Sequence, residues 1–131
     1  MKKIAALVLL LFVTLIACSP RTVPASEPLF YKASSDELFA AVVQAISTSP
    51  GLDNSSGWMI TQSDAAGGFV RAETTVTERG LFGSSRKDES ISVVVSASGE
   101  ARTQVVIQES EGAKSLAGRV RSELDLKFNR A

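Results

Sequence analysis

The segment Ile91-Ser92-Val93-Val94-Val95-Ser96-Ala97-Ser98 decides the fold of this chain. An apolar residue stands at every second position, and serine fills most of the places between. This alternation is typical of a strand with one buried and one wet face. Because antiparallel sheets commonly pack one face on the core and leave the other in water, we predict that this strand belongs to an antiparallel sheet.

Neighbouring segments carry strand signals of the same kind. Trp58 to Ser63 and Phe69 to Thr77 are separated by Asp64-Ala65-Ala66-Gly67-Gly68, a turn whose glycines permit positive φ angles. Arg102 to Glu109 repeats the alternation, and Leu29 to Ala33 has the length of a short edge strand. These segments predict a four- to five-stranded sheet.

Helical patterns precede and follow the predicted strands. Ser34 and Glu37 form a capping box, and Ser49-Pro50-Gly51 ends the helix that it begins. The apolar stripe of this helix comprises Leu38, Phe39, Val42, Val43 and Ile46. A second helix is predicted from Ala113 to Arg130, with Leu116, Val120, Leu124 and Phe128 at four-residue steps. The order predicts an α+β fold, with an N-terminal and a C-terminal helix packed on one face of an antiparallel sheet.

The tetrapeptide Leu15-Ile16-Ala17-Cys18 resembles the lipobox of bacterial lipoproteins. Lys2 and Lys3 precede an uncharged run from Ile4 to Ala17, which is shorter than the roughly 20 residues of a membrane-spanning helix. The resemblance implies that the lipoprotein signal peptide, residues 1–17, is removed. It also implies that Cys18 receives a diacylglycerol and an N-acyl chain such as palmitate.

The resemblance sets the expected organisation of the mature chain. Residues 18–28 would be the lipidated cysteine and an extended, proline-rich tether, and residues 29–131 a single small α+β domain. Two or more acyl chains hold a protein stably on a bilayer, so we expect permanent anchoring. Ser19 stands where an Asp usually retains such proteins in the inner membrane. We therefore expect the outer membrane of the cell envelope, facing the periplasm.

Composition argues against several classes of function. The chain has 14 basic and 14 acidic residues, which gives no basic excess for nucleic acid. It has no histidine, and its one cysteine is assigned to the lipid, so Ser-His-Asp triads and His- or Cys-rich zinc sites are excluded. We expect no catalytic residue, no metal and no cofactor besides the covalent lipid. A hydrolase that uses a serine–lysine or a carboxylate pair stays open, although no position singles one out.

Three further runs resemble BamC-like helix-plus-meander domains of envelope lipoproteins in the outer-membrane assembly machinery. They are Ser35 to Val42, Gly57 to Ile60 and Gly68 to Glu73. The pattern consists of apolar positions and glycines. It implies a fold of this kind and carries no catalytic motif.

The connection between two predicted strands holds the first candidate site. Leu81 and Phe82 lie between glycines, and the basic residues Arg79, Arg86 and Lys87 flank them. Such a loop can contact a headgroup layer or a partner protein. The alternative, which we favour from sequence, is that the pair folds back and caps the core, because a small core needs every large side chain.

A groove between the helices and the sheet is the second candidate site. Phe39, Val43, Trp58 and Leu116 would line it, or would serve as ordinary core anchors. The expected function is that of a membrane-anchored envelope lipoprotein that acts as a non-enzymatic protein-interaction or structural module with an envelope protein partner. The alternative is a module that binds lipid or a small hydrophobic ligand on the periplasmic side.

Overall fold

The structure is a computed structural model that describes residues 26–131. The predicted signal peptide, Cys18 and most of the predicted tether lie outside the described residues. The elements are β1 (Leu29–Tyr31), α1 (Ser35–Ser47), β2 (Met59–Asp64), β3 (Phe69–Gly80), β4 (Gly83–Ala97), β5 (Thr103–Glu109), a 3₁₀ turn (Glu111–Ala113) and α2 (Lys114–Lys127). The predicted α+β composition, with an antiparallel five-stranded sheet and two helices, is confirmed.

The sheet has the strand order β1-β5-β4-β3-β2, and every neighbouring pair is antiparallel. The register aligns the apolar positions across the three central strands, because Val93 lies opposite both Val70 and Ile107. The alternation from Ile91 to Ala97 therefore runs in phase with its neighbours on both sides.

One continuous core joins the strands and both helices. Its strand residues alternate along the chain: Val70, Ala72, Ile91, Val93, Val95, Val105 and Ile107. Its helical residues include Leu38, Val42, Ile46, Leu116, Val120 and Leu124. Burying each such side chain stabilises the fold by about 1.5–3 kcal/mol, so this cluster is the main source of stability in the domain.

The predicted start of the first helix is confirmed. Ser34 has extended backbone angles, and its Oγ accepts a hydrogen bond from the backbone N–H of Glu37 at 3.3 Å. Asp36 and Glu37 lie in the first turn, where negative charge favours the positive end of the helix dipole.

The predicted bounds of the last helix were wrong at its C-terminal end. The helix ends at Lys127, and Phe128 is extended with φ −130° and ψ 149°. The ring of Phe128 meets that of Tyr31 edge-on, with centroids 6.5 Å apart. The residues after it run beside β1, where the Lys32 N–H donates to the Asn129 carbonyl at 2.9 Å. This pairing with a distant strand replaces the last helical turn.

The prediction of a polar loop between Thr77 and Ile91 was also wrong, because this segment forms paired strands. β3 and β4 stay paired through Thr77↔Arg86 and Arg79↔Ser84 as far as Gly80↔Gly83. This segment has polar side chains on both faces, so it lacks the alternation by which a strand is recognised. The main-chain hydrogen bonds of the hairpin form nevertheless.

Within residues 26–131, neither helix is both long enough and apolar enough to cross a membrane.

Candidate functional site

Beyond the core, β3 and β4 continue as a two-stranded projection, residues 78–87, which we call the arm. All its residues are exposed, and at its tip Leu81 is 99% exposed and Phe82 102%. The expectation that these two side chains fold back onto the core was therefore wrong. Gly83 closes the two-residue turn at φ 127°, a conformation that favours glycine.

The arm is unsupported because its neighbours end before it does. The Thr77 N–H donates to the Asn54 carbonyl at 2.9 Å, which is the last contact of β3 with the loop before β2. On the other strand, the Ser110 N–H donates to the Ser90 carbonyl at 2.9 Å. Past these points only β3 and β4 pair with each other, and the tip lies too far from the core to touch it.

The charges of the arm are divided between its two faces. Arg79 and Arg86 alternate with the buried positions of their strands and share the face turned away from the core, where their cross-strand partners are Ser84 and Thr77. Among the described residues, neither arginine makes an ion pair within 4.0 Å. Lys87 belongs to the other face, and its Nζ lies 3.4 Å from Oε1 of Glu89. One face of the arm thus presents two unpaired guanidinium groups.

Ser26 lies beside β5, near the end of that strand from which the arm projects. Both β1 and β4 are antiparallel to β5 and therefore run in the same direction, and Leu29 at the start of β1 is level with Val95, because both lie opposite Val105. Ser26 donates a hydrogen bond from its Oγ to the carbonyl of Ile107, which lies opposite Val93. Followed backwards from β1 to Ser26, the described chain therefore runs in the direction in which the arm projects.

A buried carboxylate lies at the base of the arm. Glu89 is only 3% exposed, and its Oε2 accepts hydrogen bonds from the Ser110 hydroxyl and from the Gly112 N–H, the latter at 2.9 Å. The Ser110 hydrogen bond, with help from Gly112 and Lys87, outweighs desolvation and lowers the pKa of Glu89. Sequence reasoning missed this cluster, although Glu89 is in phase with the buried positions Ile91 and Val93.

The Glu89–Ser110 contact favours a structural role. A carboxylate with a lowered pKa is a weak base near neutral pH, so it activates a serine poorly. The contact instead fastens the segment after β5 to β4, and the close approach of Gly112 completes the attachment. The arm consequently starts from a fixed base.

The predicted groove residues do not all border the same surface depression. Trp58 and Leu116 border a surface depression of ≈ 260 Å³, which Ser49, Pro50, Ser115 and Arg119 complete. Phe39 and Val43 pack against the core instead and do not line this depression. Two of the four predicted residues therefore border this depression.

A polar cluster at the opposite end of the sheet holds the C-terminal segment. The Tyr31 hydroxyl donates to Oδ1 of Asp125 at 2.8 Å, and Arg130 donates to both oxygens of that carboxylate at 2.6 and 3.1 Å. Burial, together with the Asp125 hydrogen bond, raises the pKa of Tyr31 to about 12. The Arg130 hydrogen bond lowers the pKa of Asp125. Each polar group has a partner within the cluster, so it accounts for the docking of the last residues.

Residues 26–131 contain no group of three acidic, cysteine or histidine side chains placed to hold a metal ion. No known protein-family model matches the chain, and no curated protein matches it. The candidate site therefore depends on geometry alone, and the arm is its most distinctive part.

Proposed function

We propose that this protein is a lipid-anchored envelope lipoprotein whose domain acts as a non-enzymatic interaction module. Cleavage after Ala17 and acylation of Cys18 would hold the domain near the membrane, more specifically the outer membrane on its periplasmic side. The observation that carries the proposal is the arm, which holds Leu81 and Phe82 outside a filled core. The lipobox resemblance supports the anchor.

The arm supports a contact role because it adds little to the stability of the domain. Large apolar side chains stabilise a protein when they leave water, and those at the tip remain fully in water. A two-stranded ribbon is at best marginally stable by itself, so an extended one has to be supported by the sheet behind it. Retaining such an arm is consistent with a contact made by its tip.

We further infer that both helices cover the same face of the sheet. Their apolar residues join a single cluster with strand residues that alternate in phase, which supports this packing. The opposite face then carries an apolar row of Phe69, Val94 and Val106, which are cross-strand neighbours. Val94 is 40% exposed, and this row offers a surface for an envelope protein partner.

Photo-crosslinking in intact cells tests the interaction module. A photoreactive amino acid would replace Phe82 or Val94, and the control position would be Glu100, an exposed residue in the loop at the other end of the sheet. We expect adducts with lipid or protein from position 82 or 94 and none from position 100. A correctly folded, anchored protein that forms no adduct from either position would contradict the proposal.

The alternative function is the binding of a small hydrophobic ligand beside Trp58. The depression that Trp58 shares with Leu116 favours it, although ≈ 260 Å³ is below the roughly 300–1,000 Å³ of typical ligand pockets. Because Trp58 is the one tryptophan, its fluorescence reports on this site directly. Saturable quenching by a brominated fatty acid, lost in Leu116→Ala, would support the alternative; an unchanged spectrum would exclude it.

A further inference from the structure

We propose that the tip of the arm inserts into the interfacial layer of the membrane that holds Cys18, so that the domain touches the bilayer at two points. This inference rests on the proposed function and names the partner of the arm as an anionic lipid surface. Its grounds are the position of Ser26 near the arm end of β5, the short length of chain between Ser26 and Cys18, and the chemistry of the tip.

The reach of the arm matches that of the tether. Ser26 lies beside Ile107 and hence level with Val93. Ten residue steps lead from Val93 to Gly83, about 33 Å of strand at roughly 3.3 Å per residue. Eight steps separate Ser26 from Cys18, which is at most about 29 Å of chain. From the same level, the tip therefore extends at least as far as Cys18 can lie, so a domain whose arm points towards the membrane brings Leu81 and Phe82 to the bilayer.

The tip has the chemistry of an interfacial contact. Leu81 and Phe82 supply apolar side chains at the apex, and side chains of this kind enter about 5–10 Å into the boundary between headgroups and acyl chains. Arg79 and Arg86 follow behind them on one face, where their long stems can lie along the apolar layer while the guanidinium groups meet lipid phosphates. Their lack of ion pairs among the described residues leaves them available for this.

These features favour lipid over a protein groove. An arm that docks into a protein can project from any side of the domain, whereas a bilayer contact must project towards the anchor. The position of Ser26 fits this condition, because Ser26 lies beside Ile107, near the end of β5 from which the arm projects. Basic residues near an anionic leaflet also add attraction, which falls off within a Debye length.

The test uses the mature, lipidated protein in vesicles of phosphatidylethanolamine with phosphatidylglycerol. Cys18 is the one cysteine, and the lipid blocks it, so Phe82→Cys permits specific attachment of an environment-sensitive fluorophore. We expect a blue-shifted emission that lipids with brominated acyl chains quench. Leu126→Cys is the matched control, because Leu126 is also apolar and 82% exposed but lies near the end of α2, away from the arm. Its label should stay in water.

Charge variants test the contribution of the two arginines. We expect Arg79→Gln and Arg86→Gln each to lower the ratio of inserted to free tip about fivefold in these vesicles, and to have little effect in phosphatidylcholine. Arg119→Gln, at an exposed position on α2, should leave the ratio unchanged in both. An equal response of all three variants would overturn the assignment of the arginines to lipid phosphates.

The outcomes separate this inference from the proposed function. A label at position 82 that is as exposed to water as the label at position 126 overturns the bilayer contact. If the photoreactive probe at position 82 then crosslinks to a protein in cells, the interaction module stands and the partner of the arm is that protein. If positions 82 and 94 yield no adduct as well, both proposals fail.

Discussion

At the scale of single residues, the base of the arm depends on the fit between Glu89 and Gly112. The Gly112 N–H donates to the buried carboxylate at 2.9 Å, and a Cβ built on Gly112 would lie 2.7 Å from Cγ of Glu89. Glu89 has little room to retreat, because Ser110 holds the same oxygen. A side chain at position 112 would therefore displace a charged, hydrogen-bonded group.

We predict that Gly112→Ala lowers the free energy of unfolding by about 1–3 kcal/mol, the range for disrupting a buried hydrogen bond to a charged group. Gly118→Ala is the matched control, since Gly118 lies inside α2 and a Cβ there meets nothing within 4 Å. That variant should be neutral or stabilised by up to about 1 kcal/mol because alanine favours helix. Urea unfolding of both variants tests this prediction, and equal free energies of unfolding would contradict the predicted clash.

The lowered pKa of Glu89 predicts a dependence of stability on pH. Its folded-state pKa lies below the ordinary value of 4.5, so the unfolded chain takes up its proton first on acidification. The stabilisation is complete above pH 4.5 and is lost as the pH falls through the folded-state pKa. We expect the free energy of unfolding to decline in that window, and Glu89→Gln to reduce the slope. Asp125, whose pKa is also lowered, should account for part of the remaining slope.

At the scale of elements, the arm shows that two strands can stay paired where they do not contribute to the core. The strand segments that lead into the arm alternate in phase with the core through Glu89 and Thr74, but the arm itself carries polar residues on both faces. Its hairpin is held by main-chain hydrogen bonds and by the rigid base at Ser110 and Glu89. The tip should therefore be dispensable for folding.

We predict that Leu81→Ser combined with Phe82→Ser changes the free energy of unfolding by no more than about 0.5 kcal/mol, as is usual for surface substitutions. Leu124→Ala is the contrasting change, because Leu124 is fully buried, and it should cost about 2–5 kcal/mol. Thermal and urea unfolding measure both. A loss above about 2 kcal/mol in the tip variant would mean that the tip packs on the domain in solution.

At the scale of the whole molecule, the anchor and the arm together would restrain the orientation of the domain on the membrane. We predict that Cys18→Ala abolishes lipidation and leaves an unprocessed precursor, whereas Ser19→Ala is lipidated normally. Intact-mass measurement of the purified proteins and extraction of membranes with carbonate check this. A Cys18→Ala protein with the mass of the lipidated wild type would contradict the lipobox assignment.

The sequence by itself determined which residues enter the core and most of the elements that carry them. The alternation from Ile91 to Ala97 and the stripe of Leu116, Val120 and Leu124 are local patterns, and burial followed them. The cap at Ser34 is equally local, since donor and acceptor are three residues apart. Such features are predictable because the backbone period alone decides which side chains share a face.

Only the tertiary structure decided how far β3 and β4 run past the core and where the last helix ends. Leu81 and Phe82 are exposed because the hairpin of β3 and β4 extends beyond the neighbouring strands. No short-range sequence pattern indicates how long the other strands are. The hydrogen bond between Ser110 and Glu89 joins residues that are 21 positions apart. Phe128 lies just past the end of its helix, where its ring contacts that of Tyr31. These outcomes depend on contacts between distant segments, which form only when the whole sheet has been assembled.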